Sequence, residues 1–474
     1  MKVFIIGAGF TGGQLARTLV AEGCHVVLID RDPERVRQAR NKLDCTVIQS
    51  DGNSLAVLED AGIASADALV TLTEDDEINM ITCSLVDAVY PGILKIARVR
   101  NYAYYAGVAS TARRHAASSA PGGRPLFGID HMINPDVEAA DAICNVVAHG
   151  VTGGVIELPG GYGIMTLPIH PGSSLEGEPL WRLASRPDWR YLVAYVESGG
   201  DSALPSGDTV LKAGDRVGVL AAAADMPALL KLAGLQTETA RRIVVMGAER
   251  IGALVLERQL AAPRPSFLSA ALGARETSFV LVDEDETRCR EAAERFKRVR
   301  VLCGDVAESE LIREERLDAC DLLLAVSGNY ERNLVMAAYL KSLGVKKTLA
   351  LSASHKFGDV ARKLGVDVAV PMRATVVDSI MSHLRGRSVR SVHTVCNRGF
   401  EIVACDVPED ARVAGRALKD FAQKGGFLVL LVRNGATGPS SIPHGNTVIQ
   451  AGDHVVFVAC AGDRRTIRLF GGRE

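Results

Sequence analysis

The chain has 474 residues, 47% of them hydrophobic and 23% charged, with a formal net charge of −2 from 54 basic and 56 acidic side chains. That apolar fraction excludes global disorder, and the balanced charge gives no sign of a nucleic-acid partner. Length alone suggests about three domains, and 46 glycines beside 5% aromatics suit tight βα turns better than an aromatic base-stacking platform.

The first residues, Met1-Lys2-Val3-Phe4-Ile5-Ile6-Gly7, run straight into a strand and lack the pattern of a signal peptide. No apolar run approaches the roughly 20 residues that cross a bilayer. Lys2–Ile6 is continuously apolar, as expected of a parallel strand covered on both faces. Gly12–Glu22 carries Leu15, Leu19 and Val20 at helical spacing and stops at Gly23. A strand at His25–Ile29 leads to a helix start at Asp32-Pro33, with Asp as N-cap and Pro in the first helical position. Thr46–Gln49, Ala68–Leu72 and Lys95–Val99 read as further strands, and Ser54–Ala61 and Glu77–Val89 as helices. Strand and helix alternate, which predicts a doubly wound parallel sheet. The pattern breaks from about 102 to 127. There the small, polar stretch 116–123 and the Arg113-Arg114-His115 cluster read as a solvated surface loop. Asp136–His149 resumes as an amphipathic helix capped by Asn134-Pro135.

The next stretch is different. Short alternating apolar runs at Arg190–Val196 and Asp215–Leu220 suggest strands of a smaller unit. The chain then repeats itself. Val3-Phe4-Ile5-Ile6-Gly7-Ala8-Gly9-Phe10-Thr11-Gly12 resembles Ile243-Val244-Val245-Met246-Gly247-Ala248-Glu249-Arg250-Ile251-Gly252, and the segment Pro205–Val217 resembles Pro443–Val455. The two matches fall in the same order and at nearly the same separation, which predicts two tandem halves. Each half is expected to hold a Rossmann-like α/β domain (1–150 and 240–387) followed by a small α+β domain (151–235 and 388–474). In the last of these, Phe427–Val432 and His454–Val458 read as strands.

The ten cysteines include no C-x-x-C pair and read mostly as small buried hydrophobes in a reducing compartment. His170, His393 and His444 are isolated, and neither small unit holds a Ser/His/Asp set, a Cys/His set or a metal-ligand cluster. The expectation is therefore no catalytic residue and no metal site.

Gly7-x-Gly9-x-x-Gly12 follows a strand and opens a helix, the context that a dinucleotide fingerprint requires. Gly7 permits the tight turn, Gly9 lets a pyrophosphate approach the backbone, and Gly12 allows close helix–strand packing. The helix N-terminus offers unpaired amides to phosphate. Asp30 lies 18 residues beyond Gly12, where a carboxylate accepts hydrogen bonds from ribose hydroxyls and repels a 2′-phosphate, favouring NAD(H) over NADP(H). Asp51, Thr73 and Glu74 are expected at the same carboxyl edge of the sheet. Arg98 ends the fifth strand, placed either to neutralise phosphate or to pair with Glu77. In the second loop, Gly247, Ala248, Arg250 and Ile251 keep the frame, but Glu249 replaces the middle glycine and its charge opposes a pyrophosphate. Asp283 ends a strand over Ser278–Val282, and Ala261–Arg275 reads as an insertion. NAD is not expected in this half. Arg250 leaves room for an adenine nucleotide such as ATP.

The opening Gly-Ala-Gly-x-x-Gly, Asp30, Thr73 with Asp76-Glu77-x-Asn79, and Ile96-Ala97-Arg98-x-Arg100 resemble the KTN/RCK nucleotide-binding domain, and the paired Pro-x-Gly-[Asp/Asn]-Thr-Val-x-x-Ala-Gly-Asp-x-Val segments resemble the RCK C-terminal domain. Two such pairs in one chain resemble the TrkA family, the regulatory subunits of bacterial Trk potassium uptake. The resemblance implies regulation rather than turnover. It implies NAD(H) or adenine nucleotides bound at the sheet edge, homo-oligomers (a dimer or tetrameric ring), and docking on the cytoplasmic face of a membrane potassium-translocating subunit. Carried over by position, Gly7, Ala8, Gly9, Phe10, Thr11, Asp30, Thr73, Glu74 and Arg98 line the first site. Gly247, Asp283, Asp305 and Ser327 match its frame in the second half, and Glu331 and Asn333 repeat Glu77 and Asn79. The helices Asp136–His149 and Thr375–Leu384 follow the last strand of each large unit and are expected to carry the signal, with exchange or pairing between units. Two other readings compete: an NAD-dependent oxidoreductase, and a nucleotide sensor with a non-membrane partner.

Overall fold

The structure is a computed structural model and describes residues 1–105, 126–148, 155–186, 189–199, 201–222, 224–233, 241–261, 277–384, 389–395, 399–422, 425–435, 438–460 and 463–471. The Arg113-Arg114-His115 cluster, the stretch 116–123 and, apart from Ala261, the expected insertion lie outside the described residues. The chain divides into two compact units, one formed by Met1–Cys144 with Ala240–Leu384 and the other by Asn145–Thr239 with Arg385–Glu474.

The first half opens with β1 (Lys2–Ile6), α1 (Phe10–Ala21), β2 (His25–Asp30), α2 (Pro33–Lys42), β3 (Thr46–Gln49), α3 (Leu55–Asp60), β4 (Ala68–Thr71), α4 (Asp76–Val89) and β5 (Leu94–Arg98). After the sequence break come β6 (His131–Ile133) and α5 (Pro135–Ala148). Six strands form a sheet in the order β3-β2-β1-β4-β5-β6, and β1 pairs in parallel with both β2 and β4. Local chemistry sets the elements. Asp32 caps α2 by accepting from the amides of Glu34 and Arg35, with Pro33 in the first turn. Asp75 caps α4 through the Ile78 amide. The short strand β6 escaped the sequence reading because its three residues carry no period of their own.

The first small unit holds β7 (Val155–Leu158), β8 (Tyr162–Pro168), α6 (Leu180–Ala184), β9 (Leu192–Ser198), β10 (Asp201–Ala203), β11 (Arg216–Ala222) and α7 (Met226–Leu232). Its five strands are ordered β10-β9-β11-β8-β7, antiparallel throughout.

The second half repeats the frame with β12 (Arg242–Met246), α8 (Arg250–Ala261), β13 (Ser278–Asp283), α9 (Glu286–Arg295), β14 (Val299–Cys303), α10 (Ser309–Glu314), β15 (Leu322–Ala325), α11 (Tyr330–Leu343), β16 (Lys347–Ser352), α12 (His355–Lys363), β17 (Val368–Pro371) and α13 (Met372–Leu384). Its sheet has the matching order β14-β13-β12-β15-β16-β17. The last strands are β18 (Val389–Val395), β19 (Phe400–Asp406), β20 (Arg416–Ala417), β21 (Phe427–Arg433), β22 (Ser440–Ser441), β23 (Val448–Ile449) and β24 (His454–Cys460). A five-stranded sheet, β18-β19-β24-β21-β22, forms here beside the pair β20-β23.

Within the first unit, the core of the opening sheet is completed from the other half. Val3, Ile5, Leu15 and Leu19 share one buried cluster with Val376, Val377, Ile380, Met381 and Leu384 of α13. The reverse contact also exists. Arg258 of α8 pairs with Asp141 of α5 at 3.0 Å and donates to the Val137 carbonyl at 3.2 Å. The sequence predicts exchange or pairing between the units, and each of the two helices contacts the other half. Within the second unit, Leu158, Ile164, Tyr195 and Leu220 of one sheet share a core with Phe400, Ile402, Leu431 and Val456 of the other.

Candidate functional site

A cleft of about 620 Å³ opens at the carboxyl ends of β1, β2 and β4. The strand order reverses between β1 and β4, and open α/β sheets bind ligands at such a point. Of the glycine loop, Gly7 lines the cleft. Gly7 has φ +105°, and a Cβ there would lie 3.0 Å from the Leu72 carbonyl carbon and the Thr73 nitrogen. A Cβ on Gly12 would meet the Gly7 carbonyl oxygen at 1.9 Å, so α1 packs against the turn with no room for a methyl group. At Gly9 the nearest atom is Nη1 of Arg35, 3.5 Å from the Cβ position, with no backbone in the way.

Asp30 is buried and bridges two turns. Its Oδ2 accepts from the Ala8 amide at 2.6 Å and its Oδ1 from the Asp32 amide at 2.8 Å. Each carboxylate oxygen has further lone pairs. On the opposite wall, Asn79 organises the turn after β4. Its Oδ1 accepts from the Thr73 amide at 2.9 Å and from the Thr73 hydroxyl at 2.7 Å, while its Nδ2 donates to the Arg98 carbonyl at 2.9 Å. Arg98 is buried, and its Nη2 donates to the Thr73 carbonyl at 2.6 Å. Its Nε has no hydrogen-bond partner, and burial lowers its pKa to about 10. At the rim, Arg35 pairs with Glu74 at 3.1 Å.

The second half reproduces this frame around a smaller cleft of about 200 Å³. Asp283 accepts from the Ala248 amide at 2.7 Å and the Asp285 amide at 2.9 Å. Asn333 accepts from the Ser327 hydroxyl at 2.7 Å.

The TrkA-N domain pattern matches residues 3–119 and 243–371, and the TrkA-C domain pattern matches 164–234 and 402–471. The chain belongs to the TrkA family. Relatives include the Trk system potassium uptake protein TrkA of Halomonas elongata, 28% identical over 99% of this chain and 97% of its own length. That of Vibrio alginolyticus is 27% identical over 96% and 95%. Among solved structures, the GsuK channel covers 100% of this chain and 79% of its own, with TM-score 0.57 and 15% identity. The GsuK channel bound to NAD covers 99% and 78%, with TM-score 0.55 and 16% identity. At that identity the likeness concerns the fold.

In this TrkA-family chain, Gly7, Asp30, Asp51, Thr73 and Glu74 line the first cleft. Ala8, Gly9, Phe10, Thr11, Gly12 and Arg98 belong to the elements framing it but do not line it. The Arg98 guanidinium rests on a backbone carbonyl, and Glu77 instead accepts from the Tyr104 hydroxyl at 3.2 Å. In the second cleft Gly247, Glu249 and Asp283 are lining residues, and Ala248, Arg250 and Ile251 are not. Arg250 stacks over the Tyr102 ring at 4.9 Å. Sequence reasoning missed Arg35 and Asn101 of the first cleft and met Arg100 only as part of a motif. Arg35 had a signal, since it falls three residues after the Asp32 cap and so returns to the sheet edge. Among the described residues no cluster of His, Cys, Asp and Glu fits a metal ion, and no helix is long and apolar enough to cross a membrane.

Proposed function

We propose that this chain is the nucleotide-sensing regulatory subunit of a Trk-type potassium-uptake system, that it binds NAD(H) in the first cleft, and that it docks on the cytoplasmic face of a membrane potassium-translocating subunit. One observation carries the reading: Asp30, buried in the cleft at the strand-order reversal, accepts from the Ala8 amide of the glycine loop, in which Gly9 is unobstructed. The residues present fit the cofactor. A pyrophosphate is accommodated at Gly9 beside the amides of α1, and Asp30 keeps lone pairs for ribose hydroxyls. The relatives' names, and the NAD bound to a GsuK channel of the same fold, support it. Bound nucleotide acts by preferring one of two arrangements of the assembly, because a ligand shifts an equilibrium only through different affinities for its states. The contact of α13 with α1 gives the loop a route into the other half.

The subunit acts as a homo-oligomer. On α4, Ile81, Leu85 and Val89 are exposed, and on α11 Val335, Tyr339 and Leu343 are exposed. The two stripes occupy matching positions, with small Ser84/Ala88 and Ala338/Ser342 alongside. Like faces repeated twice in one chain suit contact with further copies of that chain better than contact with one unrelated partner.

Calorimetry with NADH tests the site. Asp30→Ala is expected to weaken binding about 10-fold or more, as loss of a charged hydrogen bond does, and Asp283→Ala to leave it unchanged. Equal losses would refute the assignment to the first cleft. Co-purification with a membrane potassium subunit tests the partner; its absence would favour a nucleotide sensor with another target.

A further inference from the structure

Two of the differences between the clefts form an exchange. When the halves are superposed by their shared turns, Gly9 corresponds to Glu249, Glu74 to Gly328 and Arg35 to Arg288. The arginine, on the second helix of each half, is paired with a carboxylate in both, but that carboxylate comes from opposite walls. In the first cleft it is Glu74, at 3.1 Å from Arg35, with a side chain that is 71% exposed at the rim. In the second it is Glu249, rising from the glycine loop itself, with Oε1 2.6 Å from Nη1 of Arg288. The Arg288 Nη2 is held in turn by Asp283 at 3.1 Å. The Glu249 carboxylate lies over the backbone of Gly328, where a Cβ would stand 2.7 Å from its Oε2 and push it aside. The loss of one glycine is thus matched by a gain across the cleft. Farther along the rim, Arg332 bridges Glu284 and Asp305, at 2.7 Å from the latter, whereas the first half has the uncharged Ile78 at that position.

We infer that the Glu249 carboxylate stands in the second cleft where a nucleotide phosphate would sit. Positions 249 and 328, like 9 and 74, decide whether a half takes a phosphate-bearing ligand or is closed by its own side chain. In the first half the Arg35 partner lies on the rim. An incoming anion can displace Glu74 and take the guanidinium, because the ion pair is exposed and weakly held. In the second half the partner is built into the loop, and displacing it would leave a carboxylate facing the phosphates. The second half therefore keeps one arrangement whatever the nucleotide supply, and the first half alone responds.

This inference rests on the first cleft binding NAD(H), and the test separates the two ideas. NADH binding is measured by calorimetry on the full chain, which is expected to take up one NADH per chain. In an Asp30→Ala background, the pair Glu249→Gly with Gly328→Glu is expected to restore binding at least 10-fold over Asp30→Ala alone. In the otherwise unaltered chain, Gly9→Glu with Glu74→Gly is expected to abolish binding without shifting the thermal transition, since the second half already folds with that arrangement. Glu249→Ala in the Asp30→Ala background serves if the exchanged pair fails to fold, with the same gain expected. Uptake of two NADH by the unaltered chain, no gain in the folded second-cleft variants, or retained binding in the Gly9→Glu/Glu74→Gly chain would overturn the inference. No NADH uptake by the unaltered chain would instead overturn the reading of the first cleft.

Discussion

A methyl group at Gly12 has nowhere to go, because the Gly7 carbonyl oxygen stands 1.9 Å from the Cβ position. At Gly252 the corresponding oxygen stands at 2.0 Å. Gly12→Ala and Gly252→Ala are each expected to destabilise the chain by about 1–3 kcal/mol or more, as overpacking does. One residue on, Gly13 has only the Ala8 oxygen near, at 4.0 Å, and the second half carries Ala253 there. Gly13→Ala is expected to stabilise α1 by up to about 1 kcal/mol. Thermal melts of the three variants check both signs. The contrast shows how legible single residues were. The roles of Gly7, Gly12 and Asp30 follow from the turn they must make. Arg98 did not reveal itself, because its guanidinium could reach a phosphate, an acid or a carbonyl, and only the fold of the 73–79 turn brings the Thr73 carbonyl within 2.6 Å. The 9/74 and 249/328 exchange was open to view in the two aligned halves. Read one position at a time, Glu249 shows only a charge that opposes a pyrophosphate.

At the scale of elements, the apolar strands, the Asp32 cap and the repeated segments foretold both parallel sheets. Periodicity marks which face of a helix is buried but never against what. The seat of α13 in the first half's core was therefore expected only in outline. Ile380→Ala is expected to cost about 2–5 kcal/mol, although the residue belongs to the second half. Hydrogen exchange should report the loss in β1 and α1 of the first half.

The same helix carries His383, stacked on His131 of β6 with ring centroids 3.8 Å apart. Burial lowers both pKa values. His383 falls to about 4, with the His131 charge adding to the effect, while Asp130 partly offsets the shift of His131. Both rings are held neutral, so the free rings bind protons more readily than the docked ones. The stability they contribute is complete above pH 6.5, their ordinary value, and is lost as pH falls toward 4. Melting temperature is expected to drop over that window more steeply in the parent than in His383→Gln, a comparison that cancels the carboxylates titrating in both.

For the molecule as a whole, the proposed association through the exposed stripes on α4 and α11 is open to test by surface charge. Leu85→Glu with Tyr339→Glu is expected to lower the mass measured by light scattering, because a carboxylate on each face must be desolvated to re-form the contact. NADH uptake should persist, since neither residue lines the cleft. A retained mass would move the interface elsewhere. Strand–helix alternation and the internal repeat foretold the α/β class but not this surface, since an apolar residue facing solvent on a helix has the same letter as one facing the core.

The crossing of α13 into the first half's core sets a limit on how the gene can be divided. Translated alone, a fragment ending before residue 240 would expose a furrow on α1 meant for five side chains encoded more than a hundred codons downstream, and would be prone to clump. Made together in one cell, the two fragments should find each other and rebuild the furrow. The partition between halves that is plain in the primary structure is thus absent from the folding unit.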